Sequence, residues 1–314
     1  MSTVVLPAAA RRPLVGIVGP SGYAPPEVNL ALAQSRLAAL GFGVRDFTPP
    51  QGAWQRFAAD DAARCASLHA AARDPDIDVV LALRGGYGAS RLLDMLDFQM
   101  LAESGKCFVG HSDFTAIQMG LLAHGGASFA GPMLCSDFAR ESVSDYTMSE
   151  FVACLRGPQH VVSFTETGSD AEAGTAIDAT GMLWGGNLAM LAHLVGTPWM
   201  PVIDGGILFI EDINEHPFRI ERMLLQLLHA GIIGRQAALV LGDFSGVGPS
   251  AYDNGYDFAA MLDFLRSRLT IPILTGLPFG HVPVKTTLAV GSQARLVRDS
   301  GGVRITMTGY PSLQ

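Results

Sequence analysis

Through its first half the sequence alternates short apolar runs with amphipathic stretches of helical length, a pattern that commits this part of the chain to βα units on a parallel sheet. Leu14–Val18 reads as a strand entering the loop Gly19-Pro20-Ser21-Gly22, residues 27–40 as an Ala/Leu-rich helix closed by Gly41, and residues 44–47 as a second strand. A second helix is expected over 56–72, then an apolar strand over 78–83 and the turn Arg84-Gly85-Gly86-Tyr87-Gly88. Cys107–Gly110 makes a fourth strand that breaks sharply at His111-Ser112-Asp113, after which residues 114–122 return to helical spacing. A parallel sheet places both of these loops at the carboxyl edge of its strands, where open α/β folds bind ligands.

The chain has 314 residues, more than the roughly 100 to 200 that one domain uses, so two domains are expected. Patterning weakens over 141–179, where Gly168-Ser169-Asp170-Ala171-Glu172 is the most linker-like piece. The boundary is placed there, giving an N-terminal domain over 1–165 and a C-terminal domain over 166–314. Strands at 207–210, 237–241, Leu288–Val290, 294–297 and 303–306, with a helix at 218–228, describe a smaller mixed α/β domain.

Composition narrows the partners. Hydrophobic residues make up 49% and charged residues 16%, which is the make-up of a well-buried globular protein. A formal net charge of -8, no Lys/Arg-rich run, and tryptophans 54, 184 and 199 standing apart from basic residues argue against nucleic acid and anionic membranes. A peptide or small molecule fits better. Cys65, Cys107, Cys135 and Cys154 form no CxxC pair and no metal-ligand spacing, so they read as reduced, buried thiols of a cytoplasmic protein. Residues 1–10 place a short apolar stretch before Arg11 and Arg12, the reverse of a signal peptide, and no run approaches about 18 apolar residues. With no Walker A loop, HExxH or EF-hand ladder, neither nucleotide hydrolysis nor a metal site is expected.

Four features carry chemistry. Ser112 stands where a strand turns into a helix, so its hydroxyl is either a nucleophile held at the sheet edge or a helix N-cap. The glycines after Arg84 either let the backbone approach a ligand or make an ordinary tight turn; with the N–H of Asp113, the N–H of Gly86 would complete an oxyanion hole. Among eight histidines, His281 stands out in the rigid, uncharged loop Leu277-Pro278-Phe279-Gly280-His281-Val282-Pro283, whereas His69, His124, His193 and His229 fall in helical patterns. Glu211 and Asp212 end an apolar strand; Glu211 is the first choice for an acid that orients the base, with Asp212 and Glu215 as competitors and helix capping as the plain alternative. His111 is kept as a structural residue.

The segments 83–88, 110–115, 185–188, 209–215 and 278–281, in that order, resemble the LD-carboxypeptidase family, the S66 serine peptidases. The resemblance implies a Ser-His-Glu triad at Ser112, His281 and Glu211. It also implies an N-terminal doubly wound domain like that of class I glutamine amidotransferases, a C-terminal domain supplying Glu and His, and a homodimer without metal or cofactor. The implied reaction is removal of the terminal D-alanine from a cytoplasmic murein tetrapeptide during cell-wall recycling. Gly85, Tyr87, Asn187 and Trp184 are the expected substrate contacts, Trp184 being either a platform for a nucleobase or a core tryptophan. An immunity-type hydrolase of aminoacyl nucleotides, of the microcin C kind, and a non-catalytic muropeptide-binding module are the alternatives.

Overall fold

The computed structural model describes residues 11–50, 52–167 and 176–313; the expected linker at 168–172 lies outside the described residues. In chain order the elements are β1 (Leu14–Val18), α1 (Leu30–Ala39), β2 (Gly43–Asp46), α2 (Asp61–Arg73), β3 (Ile77–Ala82), α3 (Phe98–Glu103), β4 (Cys107–Gly110), α4 (Thr115–Ala123), β5 (Ser128–Ala130) and α5 (Asp145–Arg156). There follow β6 (Gln159–Phe164), β7 (Ile177–Asn187), α6 (Leu188–Leu194), β8 (Ile207–Ile213), α7 (Pro217–His229), β9 (Ala238–Ser245), α8 (Phe258–Arg268), β10 (Ile273–Leu274), β11 (Leu288–Val290), β12 (Gln293–Asp299) and β13 (Gly302–Thr308).

Two sheets result. The first runs β11-β5-β4-β3-β1-β2, parallel throughout except for β11 on β5. Its central strands are continuous apolar runs, as strands covered by helices on both faces must be: Val79 to Ala82 and all of β4 are buried. The order 2-1-3-4-5 of its parallel strands reverses direction between β1 and β3, so the loops after β1, β3 and β4 open side by side at a switch-point crevice. The second sheet runs β10-β9-β8-β7-β12-β13-β6, with β10 to β7 parallel and the rest antiparallel.

Several boundaries differ from the sequence reading for local reasons. Helix α2 begins at Asp61 and not at 56, because the side chain of Asp60 accepts the Ala63 N–H at 2.8 Å as its cap. Helix α5 occupies part of the weakly patterned stretch; Ser144 caps it, and it buries Thr147, Phe151, Val152, Cys154 and Leu155. Strand β8 continues to Ile213, with a bulge between Ile210 and Asp212, so Glu211 and Asp212 sit within the strand rather than beyond it. The change of sheet falls between Arg156 and Gln159, ahead of a 165/166 boundary, because β6 pairs with β13 along its whole length. Near the other end the chain crosses back, and β11 extends the first sheet. No helix among the described residues is long and apolar enough to cross a membrane.

Candidate active site

Strand β4 ends at Gly110, and Ser112 follows at φ +62°, a left-handed conformation that costs a residue with a Cβ about 1–3 kcal/mol. The turn is held by its neighbour. Buried Asp113 accepts the Ser21 hydroxyl at 2.6 Å and the Ala89 N–H at 2.8 Å, tying the loops after β1 and β3 to the turn after β4. Burial raises the Asp113 carboxyl above its ordinary range, against these two bonds. The turn after β3 comes close as well. A Cβ added to Gly85 would lie 2.9 Å from both Cβ and Oγ of Ser112, so only glycine lets this backbone approach so near.

His281 comes from the loop between β10 and β11, which is fixed by main-chain bonds: the Asp243 N–H donates to Phe279 O at 2.8 Å and the Thr286 N–H to Pro278 O at 2.7 Å. Its Nε2 is 2.9 Å from Ser112 Oγ and its Nδ1 is 2.7 Å from Glu211 Oε2. An ionised carboxylate only accepts, so Nδ1 carries the proton to Glu211 and Nε2 is left to accept the serine hydroxyl. Burial alone would lower the His281 pKa, but the hydrogen bond and charge of Glu211 outweigh it and hold the imidazole above its ordinary value.

Glu211 has no exposed surface. Strands β7 and β8 pair in a register that sets Asn187 beside it, and Asn187 Nδ2 donates to Glu211 Oε1 at 3.2 Å and to Asp212 Oδ1 at 2.9 Å. The two competing acids have other engagements. Asp212 accepts the Ala189 N–H in the first turn of α6, and Glu215 pairs with Arg219 one helical turn on. His111 is buried; its Nδ1 donates to Gly131 O at 2.8 Å and its ring stands edge-on to His281, centroids 5.2 Å apart. Burial, aided by the charge of Lys285, pushes its pKa down to about 3, so it is neutral and no base for Ser112.

Ser112 and His281 face a cavity of about 340 Å³ lined by Pro25, Val28, Arg84, Gly85, Gly86, His111, Met133, Cys135, Ser136, Arg140, Ile213 and Lys285. A second cavity, of about 470 Å³, lies behind the His281 loop against Pro278, Phe279 and Val282, and none of Ser112, Glu211 or His281 lines it. Of the residues singled out from the sequence, Gly85 and Gly86 line the first cavity and Asp113 adjoins it through Ser112. Three of the four expected substrate contacts do not line it. Tyr87 turns away, its ring 5.9 Å from that of Phe57 and beneath the Arg56 guanidinium. Asn187 holds the two acids and caps α6 through Met190 N. Trp184 is fully buried, its indole N–H donating to Gln236 Oε1 at 3.0 Å, so it is a core tryptophan and not a stacking platform.

Sequence reading passed over the cations of the cavity wall, Arg84, Arg140 and Lys285. Lys285 is almost wholly buried and pairs with buried Asp137 at 2.7 Å. Burial would raise the Asp137 carboxyl, but the Lys285 charge and several hydrogen bonds hold it below its ordinary range. Arg84 lay inside a motif already marked for its glycines, and the other two have no local pattern to reveal them.

Residues 15–131 match the LD-carboxypeptidase N-terminal domain and residues 180–296 the LD-carboxypeptidase C-terminal domain. A muramoyltetrapeptide carboxypeptidase from Oxalobacter formigenes is 49% identical in its crystal structure, with a TM-score of 0.90 over 95% of this chain and 100% of that one. A probable murein peptide carboxypeptidase of Bacillus subtilis is 29% identical over 283 residues, 90% of this chain and 88% of that protein. The microcin C7 self-immunity protein MccF of Escherichia coli is 26% identical over 260 residues, 74% of this chain and 75% of that protein.

Proposed function

The chain belongs to the LD-carboxypeptidase family, and on that premise we propose that Ser112, His281 and Glu211 are the nucleophile, base and orienting acid that release the terminal D-alanine of a murein tetrapeptide. The observation that carries this reading is the unbroken hydrogen-bonded chain from Ser112 Oγ through His281 to buried Glu211, at 2.9 and 2.7 Å. Nothing else in the cavity wall offers a neutral base bonded to a hydroxyl and backed by a carboxylate.

The chemistry follows from the protonation pattern. Ser112 Oγ attacks the carbonyl carbon of the last peptide bond while its proton passes to His281 Nε2, and Glu211 stabilises the imidazolium that forms. The tetrahedral oxygen lies toward the N–H groups of Asp113 and Gly86, the first opening a helical turn and the second following the glycine that touches Ser112. Collapse breaks the C–N bond, and the amine of the released residue takes the proton from Nε2. Water, deprotonated by the same nitrogen, then hydrolyses the acyl-enzyme. The reading carries with it a cytoplasmic homodimer in cell-wall recycling that needs no metal or cofactor.

A nucleotide-directed hydrolase would need an aromatic face for the base, and buried Trp184 does not supply it. The deciding experiment is release of D-alanine from the tetrapeptide, followed by mass spectrometry, for wild type and Ser112→Ala. A loss of at least about four orders of magnitude is expected from removal of the nucleophile. Full activity in Ser112→Ala would sink the triad, and hydrolysis of an aminoacyl sulfamoyl adenylate in place of the tetrapeptide would sink the substrate.

A further inference from the structure

We propose that the Arg84 guanidinium receives the α-carboxylate of the residue being released, and so makes the site an exopeptidase; this rests on the carboxypeptidase reading above. The cavity wall holds three cationic side chains, Arg84, Arg140 and Lys285, and no Asp or Glu. The charge of Lys285 is answered from behind by Asp137. Arg140 is exposed, and its side chain is free to remain in water. Arg84 differs from both. It is half-buried and pairs with no carboxylate among the described residues, and its Nη1–H donates to Tyr23 O at 3.2 Å.

A guanidinium has five N–H donors, and one drawn partly out of water without a counter-anion is costly until a ligand supplies the charge. Arg84 is also held in place. Its stem lies against Gly22, where an added Cβ would come within 3.3 Å of Nε and 3.5 Å of Cδ. Gly22 in turn donates its N–H to Gly85 O at 3.2 Å, joining the two loops beneath the side chain.

Distance decides what this cation can reach. In a carboxypeptidase substrate the terminal carboxylate carbon lies no more than about 4 Å from the scissile carbonyl carbon, since only N and Cα intervene. The carbonyl carbon must sit on Ser112 Oγ, and Gly85, the residue after Arg84, is the backbone pressed against that hydroxyl. The arginine therefore flanks the position that the carboxylate occupies, and its planar fork suits two carboxylate oxygens at once. A longer peptide presents an amide there, which leaves the guanidinium unpaired.

The test compares the tetrapeptide as free acid and as C-terminal amide, with wild type, Arg84→Gln, Arg84→Lys and Arg140→Gln, each checked by thermal melting. Removing one partner of a desolvated charge pair lowers kcat/KM by about 10²–10³-fold. Wild type is expected to prefer the acid by that factor. Arg84→Gln loses it on the acid alone, so the preference collapses toward one, and Arg84→Lys, with the charge but not the fork, recovers part of it. Arg140→Gln keeps the preference. If Arg84→Gln and Arg84→Lys slow acid and amide equally, or if the preference vanishes with Arg140 instead, the assignment is overturned while the function stands. A wild type that leaves both peptides whole overturns the function, and this assignment with it.

Discussion

Replacing Gly85 by alanine puts a methyl group against Ser112, the proposed nucleophile. The new carbon would stand 2.9 Å from Ser112 Cβ and 2.9 Å from Ser112 Oγ, where carbon contacts are comfortable at about 3.5–4.0 Å. One side must give by roughly 0.5–1 Å. The Gly85 backbone lies outside the left-handed region, unlike Gly86 at φ +108°, so alanine itself is not strained there. Ser112 is the side that yields, because its Oγ borders the open cavity while Asp113 pins its backbone through Ser21 and Ala89. Its hydrogen bond to His281, now 2.9 Å, then stretches past the useful range. Misplacement by about 1 Å costs on the order of 10²-fold, so Gly85→Ala should lower kcat by about 10- to 100-fold. Overpacking costs about 1–3 kcal/mol in a closed core, and the open cavity keeps this site at the lower end, a shift of a few degrees in Tm. D-alanine release and the rate of labelling by a fluorophosphonate should fall together while the melting curve barely moves. Full activity in Gly85→Ala would refute the contact, and a loss that merely tracks the unfolded fraction would show that the change does not act through Ser112.

Three further outcomes are expected. Because on the proposed mechanism His281 must be neutral to take a proton, and Glu211 raises its pKa, kcat/KM should fall on the acid side through an apparent value above about 6.5; Glu211→Gln should move that limb to lower pH as it slows the reaction, and an unmoved limb would disprove the coupling. Asp137→Asn strands the buried Lys285 ammonium and should cost about 3–5 kcal/mol in denaturant melts near neutral pH. Since the Asp137 pKa is lowered on folding, its contribution is present above the ordinary carboxylate value and disappears as pH falls through the depressed one, so wild type and variant should converge in acid. Asn187→Ala leaves two buried carboxylates without a shared donor and α6 without its cap, and should cost about 1–3 kcal/mol while also moving the His281 limb; stability lost with the limb unchanged would make Asn187 a cap alone.

What could be read without coordinates followed the range of the forces involved. Strand β4 was legible to the residue because four apolar positions lie between Lys106 and His111. Ser112, Glu211 and His281 were each marked by a local break in pattern, at a strand end or between prolines. Helix α5 was passed over because its buried positions, Thr147, Phe151 and Leu155, are helically spaced but diluted by polar neighbours. Asn187 was assigned to substrate because its role depends on the β7–β8 register, and register is a property of two strands that no single stretch encodes. Trp184 was ambiguous for the same reason, since only its partner Gln236, 52 positions along, shows that its N–H is satisfied inside the core. Lys285 and Asp137 are 148 positions apart, and their pairing exists only in the folded chain.

The path of the chain explains why these long-range terms collect at one place. Ser112 belongs to the first sheet and Glu211 to the second, and His281 rides on the segment that leaves the second sheet at β10 and enters the first at β11. That segment is fastened at both ends of its crossing: Phe279 O accepts from the Asp243 N–H of β9, while Thr147 of α5 donates to Pro283 O and accepts from the Lys285 N–H. A third tie runs directly between the halves, where Thr115 Oγ1, three residues after Ser112, accepts the Asn187 N–H at 3.1 Å. The position of His281 is thus set by the docking of the two sheets and not by either one, and on the proposed mechanism a hydrogen bond that tolerates only a few tenths of an ångström makes activity a sensitive reporter of that docking. Loosening the interface at Thr115, which does not line the cavity, should for this reason lower kcat before it lowers the melting temperature of either half.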